Sequence, residues 1–158
     1  MVLDGQSLAQ AHTKTNLGYL NAEALEQAFC YYQDEGHLVT MLVPAQWLQP
    51  RPVGDRPDAD EIRERLRGYI EKGAARELPA NGAYGLPAAA SEALLHCPTP
   101  SVLVTNSSLR EHCVAACKSS EAQALMNQWV LKWTCAFTFR DVPAAGGARA
   151  LRFEPAAG

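Results

Sequence analysis

Two short apolar runs constrain this chain more than any other feature. Leu38 to Val43 is almost continuously apolar and stops at Pro44, and Ser101-Val102-Leu103-Val104-Thr105 stops at Asn106. Runs of this length, without regular polar alternation, suit strands covered on both faces, as in a parallel sheet. Helical patterns lie between and beyond them. Asn21 caps one, with Ala24, Leu25, Ala28, Phe29 and Tyr32 at helical spacing and Gly36 as its stop. Asp58 opens a second, with Ile62, Leu66, Tyr69 and Ile70 on one face and Gly73 at its end; further helices are predicted over 87–96, 107–117 and 119–130. Weaker strands are read at Val2-Leu3, Ala75 to Leu78 and Thr134 to Arg140, with Leu151 to Phe153 as an extra edge. Residues 8–18 read as a loop or short helical turn, and Pro50, Pro52, Gly54 and Pro57 mark a surface loop, as does the stretch Pro79 to Gly85. Strands alternating with helices predict a three-layer α/β/α domain around a mainly parallel sheet.

The 158 residues, 47% of them hydrophobic, suffice for one domain with a real core. We place that domain at 1–142 and read the Ala/Gly/Pro-rich stretch 143–158 as a tail or linker. No apolar run approaches the roughly 20 residues of a membrane helix, so the expectation is a soluble domain with no membrane partner. The opening MVLDGQSLAQ is not a secretory signal, and five scattered cysteines suit a reduced, intracellular setting, cytoplasmic or nuclear. A core strand that begins at the second residue suggests a domain of a larger chain. The net charge of −3 excludes a globally basic nucleic-acid binder, though not a local basic patch. Arg63, Arg65 and Arg67 alternate with Glu61, Glu64 and Glu71 and read as a solvated, ion-paired face; Trp47, Trp129 and Trp133 read as packing residues. Cys113 and Cys117, beside His112, lack the paired spacing of a zinc site and read as small hydrophobes.

In open parallel sheets, sites form beyond the carboxyl ends of the strands. Two polar segments fall there, Asp4-Gly5-Gln6-Ser7 and Asn106-Ser107-Ser108, which predicts a shared crevice. Taken alone, Asp4 reads as the end of a strand and the cap of the next turn.

At these positions the chain resembles the regnase-like NYN ribonucleases of the PIN-like superfamily. The family's first strand runs into D-G-S-N, here Asp4-Gly5-Gln6-Ser7. A pattern like G-H-x-x-x-x-x-V-P-x-W is matched by Gly36-His37 and Val43-Pro44-Ala45-Gln46-Trp47, and S/T-N-D-x-x-R-D by Thr105-Asn106-Ser107-Ser108-Leu109-Arg110-Glu111. The order is consistent over residues 2–140. Val104 to His112 is similar, too, to the V-T-N-D-x-x-R-D-H pattern of the protein-only RNase P nucleases.

The resemblance implies a Mg²⁺ or Mn²⁺ centre held by aspartates, which activates water against an RNA phosphodiester. This sequence keeps only part of that set. Asp4 matches the first ligand and Glu111 conservatively replaces the last acid, while Ser7, Ser107 and the stretch Tyr84-Gly85-Leu86 stand where the family has Asn, Asp and an acidic pair. Asp4 and Glu111 are thus the vestigial catalytic and metal candidates; Ser7, Asn106, Ser107 and Arg110 are the crevice or RNA-binding candidates. Two acids where the family uses about four or five would hold Mg or Mn weakly if at all. The favoured reading is a degenerate PIN-like domain, an inactive pseudo-nuclease without a cofactor that works as an RNA- or protein-interaction module. The alternative is a Mg/Mn-dependent endoribonuclease on single-stranded RNA. By resemblance, a homodimer is also expected.

Overall fold

Alternate residues of the central strands divide between two cores. The structure is a computed structural model and describes residues 1–13, 20–51, 55–98, 100–145 and 149–156. In chain order it runs β1 (Val2–Asp4), α1 (Gly5–Thr13), α2 (Ala22–Asp34), β2 (Thr40–Pro44), α3 (Ala59–Glu71), β3 (Ala75–Leu78), α4 (Ala88–Leu95), β4 (Leu103–Val104), α5 (Leu109–Ala115), α6 (Ser120–Trp133), β5 (Thr134–Cys135), β6 (Phe137–Pro143) and β7 (Arg149–Pro155). Short 3₁₀ turns lie at Ala45–Leu48 and Ala83–Gly85. Leu3, Met41, Val43 and Val104 enter one core with Leu8 of α1, Leu25 and Phe29 of α2, and Ile62 and Leu66 of α3. Val2, Leu42 and Leu103 point the other way, onto Ala89, Ala90 and Ala93 of α4, Leu109 and Cys113 of α5 and Val130 of α6. Such two-sided burial is what a period of two gives in a sheet covered on both faces. Each fully buried leucine contributes roughly 1.5–3 kcal/mol.

The sheet has the order β3-β2-β1-β4-β5, and each of its four pairings is parallel. This is the α/β architecture expected from the sequence, a parallel central sheet flanked by helices. From β1 the chain builds outward to β2 and β3, then returns to add β4 and β5 on the other side. Strand order therefore reverses between β1 and β4, where open α/β sheets form their ligand crevices.

Several local expectations are corrected. Residues 8–13 are not a loop: α1 begins directly after β1, with Leu8 and Ala9 buried, while 14–18 lie outside the described residues. The apolar run at 38–43 enters the sheet only from Thr40, leaving Leu38 93% exposed. Of 101–105, only Leu103 and Val104 are strand. The expected strand at 134–140 breaks at Ala136, so β5 closes the parallel sheet while β6 turns away to pair with β7 in an antiparallel hairpin. Residues 149–155 are therefore not a tail or linker. Phe153 of β7 is buried, its ring 5.5 Å from Tyr31 and 5.8 Å from Phe137, so an aromatic cluster holds the hairpin to α2. Pro52 and Gly54 of the expected loop lie outside the described residues, as do 146–148 of the Ala/Gly-rich segment.

Arg63 is also corrected, being 3% exposed rather than solvated. Its guanidinium pairs with Asp55 at 2.6 Å and Asp60 at 2.9 Å and donates to the Trp47 carbonyl at 3.2 Å, which ties the chain after β2 to α3. Such forked donation suits arginine better than lysine. Arg65 behaves as expected, paired with Glu26 at 2.6 Å. No helix among the described residues is long and apolar enough to cross a membrane.

One glycine is sterically required by this packing. A Cβ on Gly5 would lie 2.3 Å from the Leu42 carbonyl oxygen, because α1 starts against the backbone of β2. Gly68, in α3, has nothing within 4 Å of its Cβ position. Denaturant unfolding should therefore show Gly5→Ala losing about 1–3 kcal/mol or more by overpacking. Gly68→Ala should gain up to about 1 kcal/mol, since alanine is the better helix former.

Candidate crevice at the ends of strands β1 and β4

Asp4 ends β1 and caps α1 in one step. Its Oδ1 accepts the backbone N–H of Ser7 at 3.2 Å, the usual reach of an N-cap carboxylate to the third residue of a helix. Its Oδ2 accepts the Thr105 hydroxyl at 2.8 Å and lies 3.5 Å from the Ser107 hydroxyl. Asp4 is 4% exposed, and Ser7 and Thr105 are buried with it.

The network continues across the crevice. The Ser7 hydroxyl oxygen accepts the Asn106 backbone N–H at 2.8 Å, and Thr105 Oγ1 accepts the Ser107 N–H at 3.1 Å. The Asn106 side chain is fully used on a third element: its Nδ2 donates to the Phe137 carbonyl at 2.9 Å, and its Oδ1 accepts the Phe137 N–H at 3.0 Å. A two-way amide clamp thus pins the first residue of β6 to the end of β4.

Burial pushes the Asp4 carboxyl above the usual carboxylate range, against the opposing pull of its hydrogen bonds from Thr105, Ser7, Gln6 and Ser107. Among the described residues, Asp4 makes no ion pair.

The remaining candidates separate from this group. Glu111 is exposed on α5, and the side-chain hydrogen bonds of Asp4 go instead to Ser7, Thr105 and Ser107. Arg110 is exposed and donates from Nε to Asn127 Oδ1 of α6 at 2.6 Å, a contact that joins α5 to α6. The acids upstream are engaged elsewhere, Asp55 and Asp60 by Arg63 and Asp58 by Arg56 at 2.9 Å. Among the described residues, no group of three or more His, Cys, Asp or Glu is arranged to hold a metal ion. The donors present do not fit the metal centre that the resemblance implies.

Facing Ser107 lies a wall that sequence reading registered only as missing acids. Gly85, Leu86 and Pro87, with Ser107, Ser108, Leu109 and His112, line a cavity of about 370 Å³. The turn that forms it is tightly wound. A Cβ on Gly82 would sit 2.0 Å from the Leu86 carbonyl oxygen, and the Ala83 N–H donates to Ser91 Oγ at 3.0 Å. Tyr84 is held in the left-handed region, φ 56°, with its ring 84% exposed.

No protein-family model matches this sequence, and no curated protein matches it. Among solved structures, the chain is similar to the nuclear protein-only RNase P 2 of Arabidopsis thaliana, with a TM-score of 0.58 and 18% identity over 96% of this chain. It spans 29% of that protein's chain. At this identity the likeness is one of fold.

Asp4→Asn tests the electrostatics. With the folded pKa raised, the native state holds its proton more tightly than the unfolded chain. Stability from this group is then full below the unfolded value near 3.8 and is lost as pH rises through the folded pKa. An asparagine lacks that loss. Thermal unfolding from roughly pH 4 to roughly pH 8 should show the variant gaining on the parent as pH rises. Asn106→Ala, which strips the Phe137 N–H and carbonyl of their partners, should cost about 1–3 kcal/mol by the same measurement.

Proposed function

We propose that this chain is a degenerate NYN domain of the PIN-like superfamily, a non-catalytic interaction module rather than a ribonuclease. One observation carries the reading: Asp4, the buried acid of the crevice, has both oxygens engaged by Ser7, Thr105 and Ser107, and the wall across the cavity from Ser107 is Gly85-Leu86-Pro87, without an acid. A phosphodiester-cleaving metal centre needs carboxylate oxygens open to the ion, because a hard cation is held in place by charged oxygen ligands that anchor it beside the substrate phosphate. Asp4 is spent as a helix cap, and Glu111 stands exposed on α5. The fold likeness to a protein-only RNase P supports the superfamily assignment and carries no activity with it.

RNA or protein is the partner class of such a module, within a larger intracellular chain and with a homodimer as a further expectation. The net charge of −3 favours weak, salt-sensitive RNA contact at most.

The purified domain should show no Mn²⁺-dependent cleavage of a single-stranded RNA. Mn²⁺ should not broaden the NMR signals of Asp4 or Ser107 either. A Leu86→Asp/Ser107→Asp variant, which places two carboxylates beside the Asp4 crevice, should gain such broadening. Turnover by the parent domain that vanishes in Asp4→Asn, with the fold intact by circular dichroism, would overturn the reading.

A further inference from the structure

We infer that His12 is a pH-responsive latch, which holds the β6–β7 hairpin and the first turn of α2 against α1 while its ring is neutral and lets go when the ring takes up a proton. Three elements meet at this side chain. The His12 Nδ1 lies 3.0 Å from Asn21 Nδ2, at the entry to α2. Its ring stands edge to face with Phe139 of β6, with centroids 4.9 Å apart and planes at 88°. The Ala24 N–H settles which atoms of the amide face the ring. That N–H donates to Asn21 Oδ1 at 3.2 Å, so the same amide turns its NH2 group towards His12. Nδ1 is then the acceptor, and the proton of the neutral ring sits on Nε2. Nε2 is buried and has no hydrogen-bond partner among the described residues. Asn21 is 5% exposed, so its amide cannot trade these contacts for water.

A second proton on the ring turns the Asn21 contact from attraction to conflict. Nδ1–H and the amide NH2 then face each other as two donors at 3.0 Å. Either Asn21 turns over and gives up its cap on α2, or the ring swings away from Phe139. The dipole of α1 favours a cation in its last turn, where His12 sits, but no acceptor is there to receive the new N–H. The charged groups of the elements packed on α1 do not supply one. On α2, Glu23 accepts from Gln27 at 3.3 Å, Glu26 pairs with Arg65 at 2.6 Å, and Asp34 lies at the far end. On β6, Arg140 pairs with Glu154 at 3.2 Å and Asp141 with Arg149 at 4.0 Å. Strand β2 carries no charge, and Asp4 of β1 caps the opposite end of α1. Arg56, paired with Asp58, brings a further cation to this corner by donating to the Leu20 carbonyl at 3.3 Å. Histidine is the side chain whose ordinary pKa, about 6.5, puts such a change within reach of mild acid. The hairpin is the element released: Asn106 still clamps its base at Phe137, while Phe139 loses the ring that ties it to α1.

The test uses the full 158-residue chain and follows amide hydrogen exchange and the histidine ring nitrogens by NMR, at about pH 7.5 and about pH 5.5. At the higher pH the His12 ring should be the Nε2–H tautomer. At the lower pH the protection factors of Ala24 and of the hairpin amides should fall at least about tenfold more than those of β2. His12→Gln, which offers Asn21 an acceptor and takes up no proton, should abolish that fall. Asn21→Asp, which still caps Ala24 but presents an acceptor to His12, should reverse it, with the hairpin better protected at the lower pH. His37, His96, His112 and Asp4 remain in both variants, so their own titrations cancel in the comparison. An Nδ1–H tautomer in the parent chain at about pH 7.5 overturns the latch, as does hairpin protection that stays constant while the His12 ring titrates. An equal acid loss in His12→Gln, or an unchanged one in Asn21→Asp, overturns it too. The first two of these readouts need no variant, so a variant that fails to fold leaves the latch open to refutation.

Discussion

The carboxyl of Asp4 ties the junction of β1 and α1 to the end of β4, with Thr105 lying 101 positions further along the chain. It ends β1, starts α1 through the Ser7 N–H, and takes the hydroxyls of Thr105 and Ser107 from the end of β4. Ser7 returns a bond to Asn106, and Asn106 reaches Phe137 at the base of the hairpin. A buried carboxyl without a cation is expensive unless its lone pairs are filled, and here they are filled by the groups that fix the crevice. Position within the sheet makes this junction central. Because β1 and β4 flank the point where strand order reverses, whatever holds their ends together sets the width of the crevice.

An aspartate in this position needs no metal to be useful. The cap satisfies backbone donors of α1 that would otherwise be orphaned in a buried setting. Gly5, the next residue, is dictated by the Leu42 carbonyl oxygen pressed against it. An Asp-Gly pair that looks like the remnant of a nuclease motif is thus explained, residue by residue, by packing and capping. The differences from a working centre fall where packing makes no demand for an acid, at Leu86 and at Ser107.

Local rules made the sheet and the crevice legible in advance. Apolar runs closed by Pro44 and Asn106 marked β2 and β4, Asn21 accepted the Ala24 N–H as a cap should, and the polar ends of β1 and β4 had to adjoin once the sheet was parallel. What escaped depended on distant chain. Arg63 looked solvated because its periodicity is that of an exposed face, and only Asp55, Asp60 and the Trp47 carbonyl bury it. The helix α1 was hidden by its polar letters, since its cap is the preceding strand's last residue. The break at Ala136 and the docking of β7 rest on aromatic contacts with α2, more than a hundred positions earlier in the chain. The cavity was visible only as acids that were missing, because the turn at Gly82 to Pro87 has no periodic signature.

The two walls of the crevice differ in a way that bears on what can enter. On the Asp4 side, Ser7, Thr105 and Asn106 already bond within the protein, so an arriving group takes no hydrogen bond away from them. On the Leu86 side, the surface is apolar and braced. The wall is also set before the partner arrives, so little conformational entropy is lost on contact. The Asp4 carboxyl is turned inward, its oxygens engaged by Ser7, Thr105 and Ser107. The same hydrogen bonds that close the Asp4 carboxyl to new ligands also fix the ends of β1 and β4 against each other.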